Sequence, residues 1–182
     1  MIIGLTGPNA SGKGEAARYI ESKGFVYHSL SDILRDEAKR LSIEPLRENL
    51  IKLGNKLRRK NKASFLAEET IKKLAPAQNH IVDSIRNPAE VEALKRLDDF
   101  ILVGVNAPVE MRFKRGIDRK RPGDAQTLDD FIEKEKKENK NDPRNQQLKK
   151  CLQLVDALII NDSTLEKFYK KIDETIKKYK KT

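Results

Sequence analysis

Short apolar runs alternate with amphipathic segments along most of the chain. The runs are rich in β-branched residues and predict five strands, at residues 2–6, 25–28, 80–84, 100–105 and 157–161. Unbroken apolar runs of this length are typical of strands that are buried on both faces of a parallel sheet. The alternation of strands with helices predicts a three-layer α/β fold with a mostly parallel five-stranded sheet.

The segments between the strands have apolar residues at helical spacing. We expect a helix over residues 13–23 that ends at Gly24, and a second helix, capped by Ser31 or Asp32, that runs to about Arg40. Other apolar faces predict further helices: Leu50, Leu53 and Leu57; Ala67, Ile71 and Leu74, stopped by Pro76; Val91, Leu94 and Leu97 after Pro88; a helix after Pro108; and Leu165, Phe168, Ile172 and Ile176. Residues 133–150 are polar and lysine-rich with a break at Pro143, which leaves both a solvated helix and a mobile segment open.

The first apolar run leads directly into Gly-Pro-Asn-Ala-Ser-Gly-Lys-Gly at residues 7–14. This run has the spacing of a phosphate-binding loop, with Gly14 where Ser or Thr is usual. Glycines let backbone N–H groups converge on phosphate oxygens, and the lysine adds a point charge. The alternative is a glycine-rich turn that happens to contain a lysine, but strand, loop and helix follow in the required order. We therefore expect a bound nucleoside triphosphate, contacted by Gly7, Asn9, Ala10, Ser11, Gly12, Lys13, Gly14 and Glu15.

Ligands of open α/β sheets bind beyond the carboxyl ends of the strands. Asp83 closes the third predicted strand and is a candidate for holding Mg²⁺ through water, although a helix cap or loop acid is the alternative. Arg86 follows three residues later and could hold an acceptor phosphate bidentately, with an ordinary surface arginine equally compatible with the local sequence. The sequence thus places candidate phosphate-binding and metal-binding residues after the first and third predicted strands, at one edge of the sheet.

Two further groups of charged residues are candidates for contacts with substrates. Asp32 and Arg35 lie one helical turn apart, where they could position the acceptor or simply form a surface ion pair. Arg115, Arg119 and Arg121 precede a Pro-Gly turn and could close over the triphosphate as part of a lid at about residues 112–126. A solvated basic helix end is the alternative for the three arginines.

The formal charge of +10 raises the question of nucleic acid. The excess resides in two short stretches: residues 56–62 have five basic residues and no acid, and residues 112–121 have six basic residues and one acid. A general nucleic-acid binder more often has a broad basic face with interleaved aromatic residues. The two compact clusters therefore favour phosphorylated small molecules over nucleic acid as partners, and they do not exclude RNA.

Length and the remaining composition limit the other possibilities. At 182 residues the chain suits one domain. It has no apolar run of membrane-spanning length and one cysteine, Cys151, so we expect no membrane partner and a reducing cytoplasmic location. His28 and His80 have neither metal-pair spacing nor a nucleophile pattern, and we interpret both as structural.

Three segments in combination resemble the P-loop nucleoside-monophosphate kinases: residues 7–14, the run Ser-Leu-Ser-Asp-Ile-Leu-Arg at 29–35, and Val-Asp-Ser-Ile-Arg-Asn-Pro at 82–88. The resemblance extends from Ile2 to about Ser163. It is strongest to the branch with dephospho-CoA kinases and archaeal adenylate-kinase-like proteins, and similar modules precede deoxycytidylate deaminase domains.

The resemblance implies ATP as donor together with Mg²⁺. It implies that Lys13 contacts the donor phosphates, that Asp83 helps to place Mg²⁺, and that the acceptor lies among helices at about residues 32–74. It assigns the remaining candidates to the acceptor (Arg35, Arg86), to the lid (Arg115, Arg119, Arg121) and to the cover of the donor adenine (Asn161).

These expectations lead to a phosphotransferase that moves the γ-phosphoryl group of ATP to a small phosphorylated acceptor, with a nucleoside monophosphate first and dephospho-CoA next. Glu15 departs from the adenylate kinases, where Thr is common, and a carboxylate aimed at polyphosphate would be unfavourable. This departure and the resemblance to modules that precede deaminase domains motivate an alternative, a nucleotide-sensing module with weak or no kinase activity that acts through a protein partner. A third hypothesis, an RNA-directed kinase or binder, rests on the basic run at residues 56–62.

Overall fold

The computed structural model describes residues 1–120, 124–139 and 142–180. Within them, five parallel strands form one sheet in the order β2-β3-β1-β4-β5. The strands are β1 (Ile2–Thr6), β2 (Val26–Ser29), β3 (His80–Asp83), β4 (Phe100–Asn106) and β5 (Ala157–Ile160). The predicted sheet is confirmed, and each strand bound differs by at most one residue from its sequence prediction.

The first strand lies at the centre of the sheet. Ile3 pairs with Ile81 of β3 on one side and with Ile101 of β4 on the other. All three side chains are buried, as expected for strands covered on both faces. Since the strands are parallel, the phosphate-binding loop after β1 and the polar residues after β3 lie at the same edge of the sheet.

Helices connect the strands and cover both faces. They are α1 (Lys13–Glu21), α2 (Leu30–Arg40), α3 (Arg47–Lys60), α4 (Phe65–Ile71), α5 (Pro88–Leu94), α6 (Val109–Asp118), α7 (Leu128–Glu138), α8 (Leu148–Gln153) and α9 (Leu165–Tyr179). In the described parts of the chain, no helix is both long enough and apolar enough to cross a lipid bilayer.

The apolar core lies in two layers on opposite faces of the sheet. On one face, Ile20 of α1 and Phe168 and Ile172 of α9 pack against β-strand residues. On the other face, Leu34 of α2 and Leu94 of α5 belong to the second cluster. This arrangement confirms the predicted three-layer architecture.

The start of α2 differs from the sequence prediction. The helix begins at Leu30, and its N-cap is Ser29, whose hydroxyl accepts a hydrogen bond from the Ser31 backbone N–H at 3.3 Å. The prediction that Ser31 or Asp32 caps this helix was wrong. Strand β2 ends at the capping residue itself, so the connection contains no separate turn.

Two other segments are shorter or more divided than predicted. Helix α4 ends at Ile71, five residues before Pro76, and Leu74 packs on the core beyond the helix end. Within 133–150, α7 ends at Glu138 and α8 begins at Leu148. This segment is therefore neither one solvated helix nor free of structure.

Candidate functional site

The phosphate-binding loop is held in place by close packing of its backbone. A side chain at Gly7, which has φ of +145°, would place Cβ 2.0 Å from the Val105 carbonyl oxygen. A side chain at Gly12, with φ of +106°, would place Cβ 2.2 Å from Asn161 Nδ2. Both positions require glycine for space and for conformation. At Gly14 a Cβ would enter open space, so no packing constraint requires glycine there.

Lys13 is the first residue of α1, and its side chain reaches back to the start of the loop. Its ammonium group donates hydrogen bonds to the carbonyl oxygens of Gly7 at 2.7 Å and Pro8 at 2.8 Å. The pKa of Lys13 is lowered to about 7; burial is the main cause and the charge of Arg86 is the second. Asp83 acts in the opposite direction, because a nearby carboxylate favours the charged ammonium.

The loop has polar groups that fit a phosphate. The Ser11 hydroxyl is buried and has no hydrogen-bond partner among the described residues. A buried donor without a partner is costly, so it points to a ligand group that would complete the site. Asn161, which directly follows β5, donates from Nδ2 to the Ser11 carbonyl at 3.0 Å and so holds the backbone of the loop in place. The resemblance assigned Asn161 to the cover of the adenine; its observed contact is with the phosphate loop.

Glu15 turns away from the loop toward α9. Its carboxylate makes hydrogen bonds with the Tyr169 hydroxyl and with Arg18. The bond from Tyr169 is the main cause of the lowered pKa of Glu15. Tyr169 in turn stacks on Tyr19 of α1, with ring centroids 3.9 Å apart and planes within 4°. Glu15 thus joins α1 to α9, and its charge is compensated by Arg18 and by the Tyr169 hydroxyl.

Asp83 is buried at the end of β3, where its carboxylate has two partners. Oδ1 accepts the Ser84 backbone N–H at 2.6 Å, and Oδ2 accepts the Tyr27 hydroxyl at 3.3 Å. Burial raises the pKa of Tyr27 to about 12, which keeps this hydroxyl a donor. The Thr6 hydroxyl donates to the Ile85 carbonyl at 2.9 Å and fixes this segment beside the phosphate loop.

The donor set is compatible with Mg²⁺ only if phosphate and water supply most of the ligands. In the described residues, no group of three or more His, Cys, Asp or Glu side chains could hold a metal ion. Asp83 offers a carboxylate close enough to the loop to act on Lys13. Mg²⁺ usually keeps several waters and binds through one or two carboxylates plus substrate phosphates, so this arrangement fits the ion when ATP is present.

Arg86 lies at the same edge, partly exposed, and it has a neighbour that the sequence did not reveal. Arg47, the first residue of α3, donates three hydrogen bonds of 2.8–3.0 Å to the carboxylate of Glu138 at the end of α7. Arg86 Nη1 lies 3.6 Å from the same carboxylate. Burial, and after it the charge of Arg47, lowers the pKa of Arg86.

Asp32 and Arg35 form an exposed ion pair. Arg35 Nη1 lies 2.6 Å from Asp32 Oδ1, and about half of each side chain is open to solvent. The same nitrogen donates to the Ser31 hydroxyl at 2.8 Å. This geometry matches the ion pair that the one-turn spacing offered, and both groups remain open to a ligand.

The arginines of α6 and its end lie around the phosphate loop. Arg119 donates to Asn9 Oδ1 at 2.9 Å and forms an ion pair with Asp124. Arg115 donates to the Asn161 carbonyl at 3.2 Å. Arg112, which the sequence did not single out, is buried and donates from Nε to the Ala107 carbonyl. Arg121 lies outside the described residues.

The basic run at residues 56–62 does not form one surface. Arg58 is buried in an ion pair with Glu90, with Nη2 2.6 Å from Oε1. Arg59 donates to Asn145 Oδ1 at 3.0 Å, and Lys62 pairs with Glu68 at 2.6 Å. Three of the five charges therefore have partners within the protein.

The remaining singled-out residues have structural environments. His28 Nε2 and His80 Nδ1 lie 3.1 Å apart, and His80 Nε2 contacts the Ala75 carbonyl at 2.8 Å. Cys151 is buried, and burial raises the pKa of its thiol to about 12. A thiol with such a pKa is almost entirely protonated at neutral pH and is a poor nucleophile.

Comparison with known proteins places the chain among P-loop relatives. The family described as AAA domain matches residues 6–132. The UPF0200 protein of Hyperthermus butylicus is 33% identical over 170 residues, which are 92% of this chain and 89% of that protein. The UPF0200/UPF0201 protein of Archaeoglobus fulgidus is 32% identical over 99% of this chain, but the chain spans only 56% of that protein's length.

Solved structures have the same fold at low sequence identity. Shikimate kinase from Aquifex aeolicus has a TM-score of 0.62 and 18% identity, with 97% of this chain and 96% of that chain covered. Shikimate kinase from Acinetobacter baumannii, in complex with shikimate, has a TM-score of 0.60 and 16% identity, with 100% and 95% covered. At these identities the likeness shows a kinase-like P-loop fold and nothing about the substrate. Together with the match over residues 6–132 and the archaeal relatives, it shows that the chain belongs to the AAA-domain family of P-loop proteins and is related to the UPF0200 proteins.

Proposed function

We propose that the protein transfers the γ-phosphoryl group of ATP to a small phosphorylated acceptor, with a nucleoside monophosphate as the first choice and dephospho-CoA as the second. The fold supports the broader class, a nucleotide-dependent phosphotransferase. The identity of the acceptor is the more specific part of the proposal. It derives from the resemblance of residues 29–35 and 82–88 to the monophosphate kinases.

One observation carries the proposal: several cations share one edge of the sheet, close enough to disfavour one another's charge. The pKa of Lys13 is lowered first by burial and then by the charges of Arg86, Arg47 and Arg119. Such mutual repulsion is relieved by a polyanion, since an opposite charge favours the protonated form. Two anionic substrates, a triphosphate and a phosphorylated acceptor, would each neutralise part of this cluster.

Phosphoryl transfer requires mainly positioning and charge from the protein. In the proposed mechanism the loop amides and Lys13 hold the donor phosphates, and Arg86 orients the acceptor beside them. Arg115 and Arg119, which already contact Asn161 and Asn9 of the site, would offset the charge that develops on the transferred group. Asp83 would hold Mg²⁺ through water, and the ion would offset the negative charge of the phosphates during transfer.

The test is ADP release from ATP and Mg²⁺ with a panel of nucleoside monophosphates and dephospho-CoA. At least one acceptor should be phosphorylated. Lys13→Ala should lower the rate by at least about a hundredfold, the size expected when a group that stabilises transition-state charge is removed. Lys149→Ala, which removes an exposed lysine of α8, is the matched control and should keep the wild-type rate.

Transfer that persists in Lys13→Ala, or the absence of transfer to every acceptor, would overturn the proposal. The sensing alternative drew on Glu15 and on the resemblance to modules that precede deaminase domains. The contacts of Glu15 with Tyr169 and Arg18 weaken the first of these two grounds.

A further inference from the structure

The contact between Arg47, Arg86 and Glu138 combines a mostly buried carboxylate with two arginine neighbours. A single carboxylate, only 12% exposed, faces two guanidinium groups of 30% and 19% exposure. Many of the other pairs lie on exposed helix faces at i, i+3 spacing, such as that of Arg40 and Glu37. The three residues here come from α3, the segment after β3 and the end of α7.

The two arginines also act on the phosphate-loop lysine. Both Arg86 and Arg47 contribute to the lowered pKa of Lys13. An anion between these arginines would therefore lie next to the position proposed for the transferred phosphoryl group. Since the donor phosphates are already assigned to the loop backbone, we assign this anion to the acceptor.

The backbone of Arg86 is fixed on both sides, so this arginine cannot readily leave the cluster. Its N–H donates to Glu90 Oε2 at 2.9 Å, and its carbonyl accepts the Gln147 N–H at 2.8 Å. Glu138 has less support, because it is the last residue of α7. Replacement of the Glu138 carboxylate by a ligand anion is thus easier than movement of the Arg86 backbone.

We infer that Arg47 joins Arg86, which the resemblance already assigns to the acceptor, in binding the acceptor's anionic group, and that the carboxylate of Glu138 occupies this site until the acceptor displaces it. The ligand is a phosphomonoester or a carboxylate, both of which match the bidentate fork of arginine. Glu138 acts as an internal competitor that discriminates against acceptors without a strong anionic group. The identification of the ligand as an acceptor rests on the proposed function. Anion binding at this site can be tested without phosphoryl transfer.

The internal anion must lower the apparent affinity of the site. When only a fraction of the molecules has the arginines open, the apparent dissociation constant rises by the inverse of that fraction. A pair held by three hydrogen bonds in a mostly buried place keeps that fraction small. Removal of the carboxylate should therefore strengthen binding, whereas loss of a purely supporting residue should weaken it.

The experiment measures binding of methyl phosphate and of acetate by calorimetry to the full chain. Glu138→Gln should bind one of these probes about tenfold more tightly than the wild type, as expected when an opening penalty of this kind is removed. Glu138→Ala should also bind the probe more tightly than the wild type. This variant tests whether a hydrogen bond from the introduced glutamine side chain affects the result. Glu133→Gln, on the same helix with an exposed carboxylate paired to Lys136, is the matched control and should bind as the wild type does.

A second substitution assigns the gain to this site. Adding Arg47→Gln to Glu138→Gln should abolish the gain, since the phosphate loop remains intact in both proteins. A gain for methyl phosphate identifies a phosphomonoester acceptor, and a gain for acetate identifies a carboxylate acceptor. Unchanged or weaker binding of both probes in Glu138→Gln and Glu138→Ala would overturn the inference. Failure of the kinase assay would leave these binding results unaffected, so the two proposals fail separately.

Discussion

Lys13 has two competing sets of neighbours. Loop carbonyls of Gly7 and Pro8 accept its hydrogen bonds, while burial and the charge of Arg86 favour its neutral form. The pKa of about 7 means that the nucleotide-free protein carries this lysine in both protonation states at neutral pH. A triphosphate would favour the ammonium form. Nucleotide binding and protonation of Lys13 are therefore linked.

This linkage predicts proton uptake when nucleotide binds. Above pH 7 the free protein has largely neutral Lys13, and the bound form should be protonated, so calorimetry at about pH 8 in buffers of different ionisation enthalpy should detect uptake. Lys13→Met should remove it. The unfolded chain, with the ordinary lysine pKa of 10.5, binds more protons between about pH 7 and 10.5 than the folded chain. The contribution of Lys13 to stability thus rises with pH across that window in the absence of nucleotide. Proton release on binding would contradict this account.

Helices α3 and α5 are joined beneath the site by an ion pair that is almost completely buried. Arg58 and Glu90 have side-chain exposures of 2% and 0%. Glu90 also accepts the backbone N–H groups of Arg86 and Asn87 at 2.9 and 3.0 Å, which completes the capping box of α5. One carboxylate therefore caps a helix, anchors Arg86 and fixes α3, the helix that carries Arg47.

Removing one member of this pair should be far more costly than removing a surface charge. We expect Arg58→Leu to destabilise the protein by about 3 kcal/mol, because it leaves the buried Glu90 without its partner. Arg40→Leu, which breaks an exposed pair with Glu37, should cost less than about 1 kcal/mol. Urea denaturation of both variants provides the comparison. Equal losses would show that Arg58 contributes no more than a surface charge does.

The molecule as a whole has a charge of +10, but many of its arginines are directed at the site or at internal partners. Arg58 is buried, Arg86 and Arg47 face Glu138, and Arg119 pairs with Asp124 beside the phosphate loop. Each of these arginines therefore has an acidic partner within the protein. The basic run at residues 56–62 likewise does not form one surface that could follow a nucleic-acid backbone.

This distribution predicts weak, non-specific contact with RNA. Filter binding with a single-stranded oligonucleotide should give a dissociation constant in the range of about 10⁻⁴–10⁻⁶ M near physiological salt, which is typical of non-specific association. A nanomolar affinity with a steep salt dependence would instead support the RNA hypothesis.

The sequence predicted the sheet and the phosphate loop because their signals are local. Strands such as β4 appear as an unbroken run of non-polar residues at 100–105, and the loop residues are contiguous. The site around Arg47 could not be predicted, since its partner Glu138 lies 91 residues away in a polar segment with no local motif. The orientation of Glu15 was hidden for the same reason, as Tyr169 lies 154 residues further along the chain.

The stacked rings of Tyr19 and Tyr169 have a spectroscopic consequence. The chain contains no tryptophan and four tyrosines, so two of the four main near-ultraviolet chromophores lie face to face. One of them donates a hydrogen bond to the first turn of the helix that follows the phosphate loop. The near-ultraviolet circular dichroism of the unmodified protein thus provides a label-free optical signal of whether that helix end and α9 stay together when nucleotide binds.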